Sequence, residues 1–176
     1  TVPNGDERDK DVANAIRYAV DNGASVINMS FGKNPSPYKQ VVDDAVRYAA
    51  KHDVLLVHAA GNDGKEVTAD NNFPTDKYAK RKLFRPKYAE NWLEVGANGP
   101  EMDETMTASF SNYSATNVDV FAPGEKIYNT VPGDKYQNLQ GTSMASPMIA
   151  GLAALLRSYH PDLTAEQVKG IIMDSA

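Results

Sequence analysis

Two helix-then-strand units, repeated within the first 60 residues, limit what this chain can fold into. Residues 9–21 place Val12, Ile16, Ala19 and Val20 at the i, i+4, i+7, i+8 spacing of an amphipathic helix. Asn22-Gly23 then supplies a helix stop. Residues 24–29 (ASVINM) follow without polar alternation, which predicts a strand buried on both faces. Residues 38–51 repeat the helical pattern, with Val41, Val42, Ala45, Val46 and Ala49 on one side, and residues 54–60 (VLLVHAA) repeat the buried strand. Units of about 30 residues in this order imply parallel strands joined by crossover helices. The expected fold is an α/β three-layer domain, with a mainly parallel sheet flanked by helices.

The rest of the chain is less regular. Residues 61–85 mix Gly, Asn, Asp, Pro and Lys and read as a long exposed loop. Residues 92–97 (WLEVGA), 108–111 and 118–121 are short strand candidates. Residues 142–159 read as one helix, broken by His160-Pro161-Asp162, and Thr164 with Gln167 forms a capping box for a last helix. The 176 residues fit one domain or a large part of one, and 41% hydrophobic with 23% charged residues suffices for a buried core. A net charge of −5, with no basic run longer than Lys80-Arg81-Lys82, argues against a nucleic-acid partner. The most apolar stretch, residues 148–156, is too short to cross a bilayer. With no cysteine, disulfides and thiolate metal sites are excluded.

The segment richest in chemistry is Gly141-Thr142-Ser143-Met144-Ala145-Ser146-Pro147, which leads into the apolar run 148–156. That run is apolar nearly all round, which predicts a helix buried in the centre of a fold. Ser143 then stands at the helix start, where backbone N–H groups lack intrahelical acceptors and favour a developing anion. A serine placed there can attack a carbonyl while its own N–H holds the oxyanion. Taken residue by residue, Thr142 or Ser143 is also a good N-cap, and capping is the commoner use of such residues.

The whole run resembles the nucleophile motif of the subtilisin-like (subtilase) serine peptidases, G-T-S-M-A-x-P followed by a small-residue helix. Two further segments match in the family's order. His58-Ala59-Ala60-Gly61-Asn62 resembles the A-A-G-N element, and the resemblance implies that the Asn62 side chain donates to the oxyanion. Without the resemblance, Gly61-Asn62 reads as an ordinary turn. Val26-Ile27-Asn28-Met29-Ser30-Phe31-Gly32 resembles the V-I-N-x-S-x-G strand. By resemblance, Ser30, Phe31 and Gly32 on one side and Ala59, Ala60 and Gly61 on the other hold an extended polypeptide substrate. Residues 108–113 and 120–124 match family segments with structural roles. The match runs from about Asp11 to the end and is poorest over residues 65–86, which read as an inserted loop.

The resemblance implies a serine endopeptidase acting through an acyl-enzyme on Ser143, with 1–176 as part of a subtilase catalytic domain incomplete at its N-terminal side. A serine hydroxyl needs a base within hydrogen-bond reach. The family's Asp-Ser/Thr-Gly and His-Gly-Thr-His motifs do not occur in this sequence. His52 falls at a helix end, His58 in a buried strand as an expected core histidine, and His160 in a helix stop. The expectation is therefore a segment of a longer protein whose upstream part supplies the Asp and His, and which is inactive by itself. The alternative is a peptide-binding module on the same scaffold. A G-x-S-x-G hydrolase elbow is discounted, because that fold needs an acid and then a His after the serine, and no acidic residue lies between Ser143 and His160. No metal-ligand set is read from spacing. Calcium is implied by resemblance alone, with the acidic loop 62–76 as the place for it. Location outside the cytoplasm, secreted or at the cell envelope, is likewise implied only by the family.

Overall fold

Helix α1 (Asp9–Asp21) buries Val12, Ala13, Ile16 and Val20, the stripe expected from the 3.6-residue period. It ends at Asn22, and Gly23 takes a φ of 82°, a left-handed turn glycine adopts without strain. Helix α2 (Lys39–Lys51) buries Val42, Ala45, Val46 and Ala49. Val41 is exposed instead of sharing that face, because it lies about 90° around the helix from the centre of the stripe. The computed structural model describes residues 7–34, 36–68, 71–77, 88–101 and 106–176. Lys80-Arg81-Lys82 and residues 69–70 and 78–85 of the expected loop lie outside them.

Strands β1 (Val26–Met29), β2 (Leu55–Ala59), β3 (Trp92–Asn98) and β4 (Val120–Pro123) form one sheet in that order, every pair parallel. Side chains alternate across it. Leu56 and Trp92 enter a cluster with Val12, Ile16, Val42 and Val46 of α1 and α2. Leu55, Val57, Leu93 and Val95 enter the opposite cluster, with Ala145, Ile149 and Ala153 of helix α3 (Thr142–Tyr159) and Val168 and Ile172 of helix α4 (Ala165–Asp174). These are the three expected layers. Each fully buried Leu or Val contributes about 1.5–3 kcal/mol over its exposed state, which accounts for the apolar runs at β2 and β3. The Thr164–Gln167 capping box at α4 is present, with both reciprocal hydrogen bonds.

Several expectations need correction. β1 is not buried on both faces: Asn28 is exposed and Val26 and Ile27 are half-buried, because β1 is the edge of the sheet among the described residues. α3 is not buried all round. Ala145, Ile149 and Ala153 pack on the sheet, while Met148, Leu152 and Leu155 face outward with no further layer over them among the described residues. The loop after β2 is not uniformly exposed: Val67, Asn72 and Phe73 are buried, and Phe73 exchanges backbone hydrogen bonds with Lys33. Residues 108–111 form a turn, not a strand, with Ala108 N–H donating to Ala97 O at 2.9 Å. A hairpin absent from the sequence reading, β5 (Ile127–Val131) with β6 (Lys135–Leu139), turns through Gly133 (φ 85°) and Asp134 (φ 55°). Its mostly polar, exposed strands carry no apolar alternation to detect.

Candidate active site

Parallel strands carry their C-terminal ends to one edge, where ligands of open α/β sheets bind. Ser30 follows β1 and Ala60-Gly61-Asn62 follow β2 at that edge. The start of α3 meets both. Its N-cap, Gly141, has φ 139°, and a Cβ there would stand 3.4 Å from Asn62 Nδ2, so glycine suits both the turn and the approach.

Asn62 is fixed by its oxygen. Thr142 N–H donates to Asn62 Oδ1 at 2.8 Å and Thr142 Oγ1 at 3.1 Å, while Thr142 Oγ1 accepts from Gly61 N–H at 3.1 Å. With Oδ1 committed, the amide Nδ2 is left as a donor beside Gly141, with no protein acceptor among the described residues. Met144 N–H is taken by Gly141 O at 2.9 Å. Ser143 N–H, in the first turn of α3, has no acceptor in the helix. Two unengaged donors therefore flank the partly exposed Ser143, as an oxyanion requires.

Pro147 explains a second link. It has no N–H, so Ser143 O four residues earlier is released from the helix ladder. Ser30 Oγ donates to that carbonyl at 2.9 Å, and Ser143 Oγ donates to Ser30 O at 3.2 Å. Asn28 Nδ2 donates to Ser30 Oγ at 2.8 Å, and Ser146 Oγ to Asn28 Oδ1 at 2.6 Å. The sequence reading assigned Asn28 and Ser146 no role. For Asn28 the signal was present: it is the polar residue of the otherwise apolar strand VINM.

A cavity of about 540 Å³ opens beside Ser143, lined by Ser30, Phe31, Gly32, Ala59, Gly61 and Asn62, among others. Ala60 does not line it. Its N–H donates to Val95 O at 2.9 Å and its carbonyl accepts from Asn112 Nδ2 at 2.8 Å, so neither group is free for a ligand. Gly61 is also engaged, by Thr142 Oγ1 and by Asn112 N–H at 2.9 Å. Phe31 and Gly32 make no backbone hydrogen bond among the described residues, which leaves that side open for strand addition. Asn112 Oδ1 also accepts from Asp63 N–H at 3.0 Å and Lys65 N–H at 3.1 Å, which holds the loop carrying Asn62.

The histidines fall where expected, with one difference. His52 caps α2 and His160 caps α3. His58 is buried with Nδ1 3.0 Å from Glu94 Oε1, yet its Nε2 has no partner, so it is only half satisfied. Among the described residues no imidazole or carboxylate is hydrogen-bonded to Ser143.

No three acidic or imidazole side chains converge as ligands among the described residues. Asp76 is near Asp119 and Glu94, but Asp119 is paired to Lys169 at 3.0 Å and Glu94 accepts from three side chains. Burial pushes the Asp76 carboxyl above its usual range, with Asp119 and Glu94 adding to the rise and Lys169 opposing it. A raised carboxyl pKa favours the folded state only while the group is protonated, and that benefit is lost as pH rises through the folded value. Asp76→Asn should therefore stabilise the protein at neutral pH and leave it unchanged at low pH, as read by urea midpoints across that range. Equal stabilisation at every pH would show that ionisation of Asp76 is not the cause.

Among the described residues no helix is long and apolar enough to cross a membrane. The chain is 43% identical over 156 residues to the thermophilic serine proteinase of Bacillus sp. (strain AK1), covering 88% of this chain and 33% of that protein. It is 37% identical over 161 residues to the major intracellular serine protease of Bacillus subtilis (strain 168), covering 90% of this chain and 45% of that one. The fold matches the crystal structure of a cold adapted subtilisin-like serine proteinase with a TM-score of 0.78 and 29% identity, over 97% of this chain and 56% of the other. The chain thus spans a third to somewhat over half of the proteins it matches. One of them is intracellular by name, so export from the cytoplasm does not follow from likeness. The model of the subtilase family matches residues 2–176, and the chain belongs to that family.

Proposed function

We propose that this chain carries the nucleophile, the oxyanion site and part of the substrate cleft of a serine endopeptidase. The observation that carries the reading is Ser143 at the start of α3 between two unengaged N–H donors, its own and Asn62 Nδ2. In the proposed reaction Ser143 Oγ attacks the peptide carbonyl, and its proton passes to a histidine base oriented by an aspartate. The carbonyl oxygen becomes an oxyanion held by the two donors. The base returns the proton to the departing amine, leaving an acyl-enzyme on Ser143. Water, deprotonated by the same base, then releases the acid.

The base and its aspartate are proposed to lie outside these 176 residues. Support comes from relatives with more than as much sequence again beyond the matched part, and from the motif resemblance. The chain by itself is accordingly proposed to be inactive. The substrate is a polypeptide bound as an added strand along Phe31 and Gly32, in a location outside the cytoplasm that only the family suggests.

The test is fluorophosphonate labelling of the protein expressed from its full gene, with the adduct located by peptide mass. An adduct on Ser143 supports the reading. No adduct, after any propeptide is removed and while a control protease labels, sinks it and leaves a peptide-binding module on this scaffold.

A further inference from the structure

Asn62 has little of its own to hold it. Its side chain is tied through Oδ1 to Thr142, and its backbone makes no hydrogen bond among the described residues. Its neighbours are held instead, and one residue holds most of them. Asn112 is buried, and its Nδ2 donates to Ala60 O at 2.8 Å. Its Oδ1 accepts from Asp63 N–H at 3.0 Å and from Lys65 N–H at 3.1 Å. Its own backbone N–H donates to Gly61 O at 2.9 Å. Residues on both sides of Asn62 are therefore bonded to this one asparagine. An amide oxygen has two acceptor positions, and here both are used. The fit is also close: a Cβ on Gly61, whose φ is 97°, would stand 2.5 Å from Asn112 Nδ2.

Asn112 is fixed in turn. Ser111 beside it is buried, and its Oγ accepts from Ala97 N–H of β3 at 2.9 Å and donates to Asn112 O at 2.9 Å. Ser111 N–H donates to Ala108 O at 2.8 Å, and Ala108 N–H to Ala97 O at 2.9 Å. On the other side, Tyr113 N–H donates to Lys65 O at 3.0 Å and Val67 N–H to Tyr113 O at 2.8 Å. The turn over residues 108–113 is thus anchored to the sheet, and the loop carrying Asn62 is shaped against it.

We propose that Asn112 is the positioning residue of the oxyanion site: it sets where the Asn62 amide stands relative to Ser143 and acts on catalysis only through Asn62. The inference rests on the endopeptidase reading above. A donor serves an oxyanion only at about 2.7–3.1 Å, so its placement matters as much as its presence. A displacement of about 1 Å can cost on the order of 10²-fold in rate. Removing the Asn112 amide releases Ala60 O, Asp63 N–H and Lys65 N–H together, which lets the loop make such a shift.

The experiment is a double-variant cycle in the protein expressed from its full gene, with kcat and KM measured on one peptide. Asn112→Ala should lower kcat about 10- to 100-fold, with KM within about threefold of wild type. In an Asn62→Ala background the same substitution should cost less than about threefold, because the donor it positions is already gone. A purely structural role gives another pattern: losses that multiply in the double variant, or a lower melting temperature with kcat unchanged. Either result overturns the inference. Asn112→Asp has the same shape and keeps an oxygen for Asp63 and Lys65, but sets its second oxygen against Ala60 O. It decides the matter should Asn112→Ala fail to fold: kcat should fall about tenfold, and that fall should vanish in the Asn62→Ala background. Fluorophosphonate labelling of the unsubstituted protein at Ser143 keeps the two readings apart. Labelling with multiplied losses overturns the positioning role alone, and absence of labelling overturns both.

Discussion

Ser143→Ala in the protein expressed from its full gene is expected to lower kcat roughly 10⁶-fold, the loss found when the nucleophile of a subtilisin is removed. Stability should hardly change. Among the described residues the hydrogen bond lost is the one from Ser143 Oγ to Ser30 O at 3.2 Å, at a partly exposed site, worth about 1 kcal/mol. KM should stay close to its wild-type value, since Phe31, Gly32 and the cavity beside them are untouched. Steady-state kinetics on one peptide, with a thermal melt, separate the two quantities. A fall in kcat below about tenfold would place the nucleophile elsewhere, because residual catalysis by an oxyanion site alone cannot mask so large a loss.

Asn62 is expected to matter in two separable ways. Asn62→Ala removes the Nδ2 donor proposed to hold the oxyanion, with an expected loss of about 10²–10³ in kcat, as measured for the corresponding donor in a subtilisin. It also removes Oδ1, which accepts from Thr142 N–H at 2.8 Å and Oγ1 at 3.1 Å, at a further cost of about 1–3 kcal/mol in stability because the buried Thr142 loses its acceptor. Asn62→Asp distinguishes them. It keeps an oxygen for Thr142 and has no N–H, so its melting temperature should stay near wild type while kcat falls at least as far as in Asn62→Ala. An Asn62→Asp variant with wild-type kcat would remove Asn62 from the oxyanion site.

These two residues were legible in the sequence because each lies in a short continuous motif. Gly141 to Pro147 contains its own explanation: a turn glycine with φ 139°, two residues on a helix start, and a proline that releases the Ser143 carbonyl. Asn72 was not legible. It sits in a segment read as exposed loop, yet it is buried, with its amide held by Glu94, 22 residues further on, and its oxygen beside glycines 32 and 61. Nothing in the run Asn71-Asn72-Phe73 marks which amide turns inward. Exposure failed for a similar reason. The apolar character of Met148, Leu152 and Leu155 is plain in the sequence, yet whether a layer covers them depends on what packs there.

By itself, then, the sequence determined whatever is set by residues close in the chain. The period of 3.6 chose helix for α1 and α2, short apolar runs without alternation chose strand for β1 and β2, and the helical crossovers required those strands to be parallel. Thr164 and Gln167 determined the start of α4. Tertiary structure alone decided what depends on convergence. Thr142 meets Asn62 from 80 residues away and Ser30 meets Ser143 from 113, and Ala60 leaves the cleft because β3 and Asn112 take both of its backbone groups. The physical reason is that helix periods, caps and turn conformations are fixed within a few residues, whereas a donor is free or engaged only in relation to whatever the completed fold places beside it.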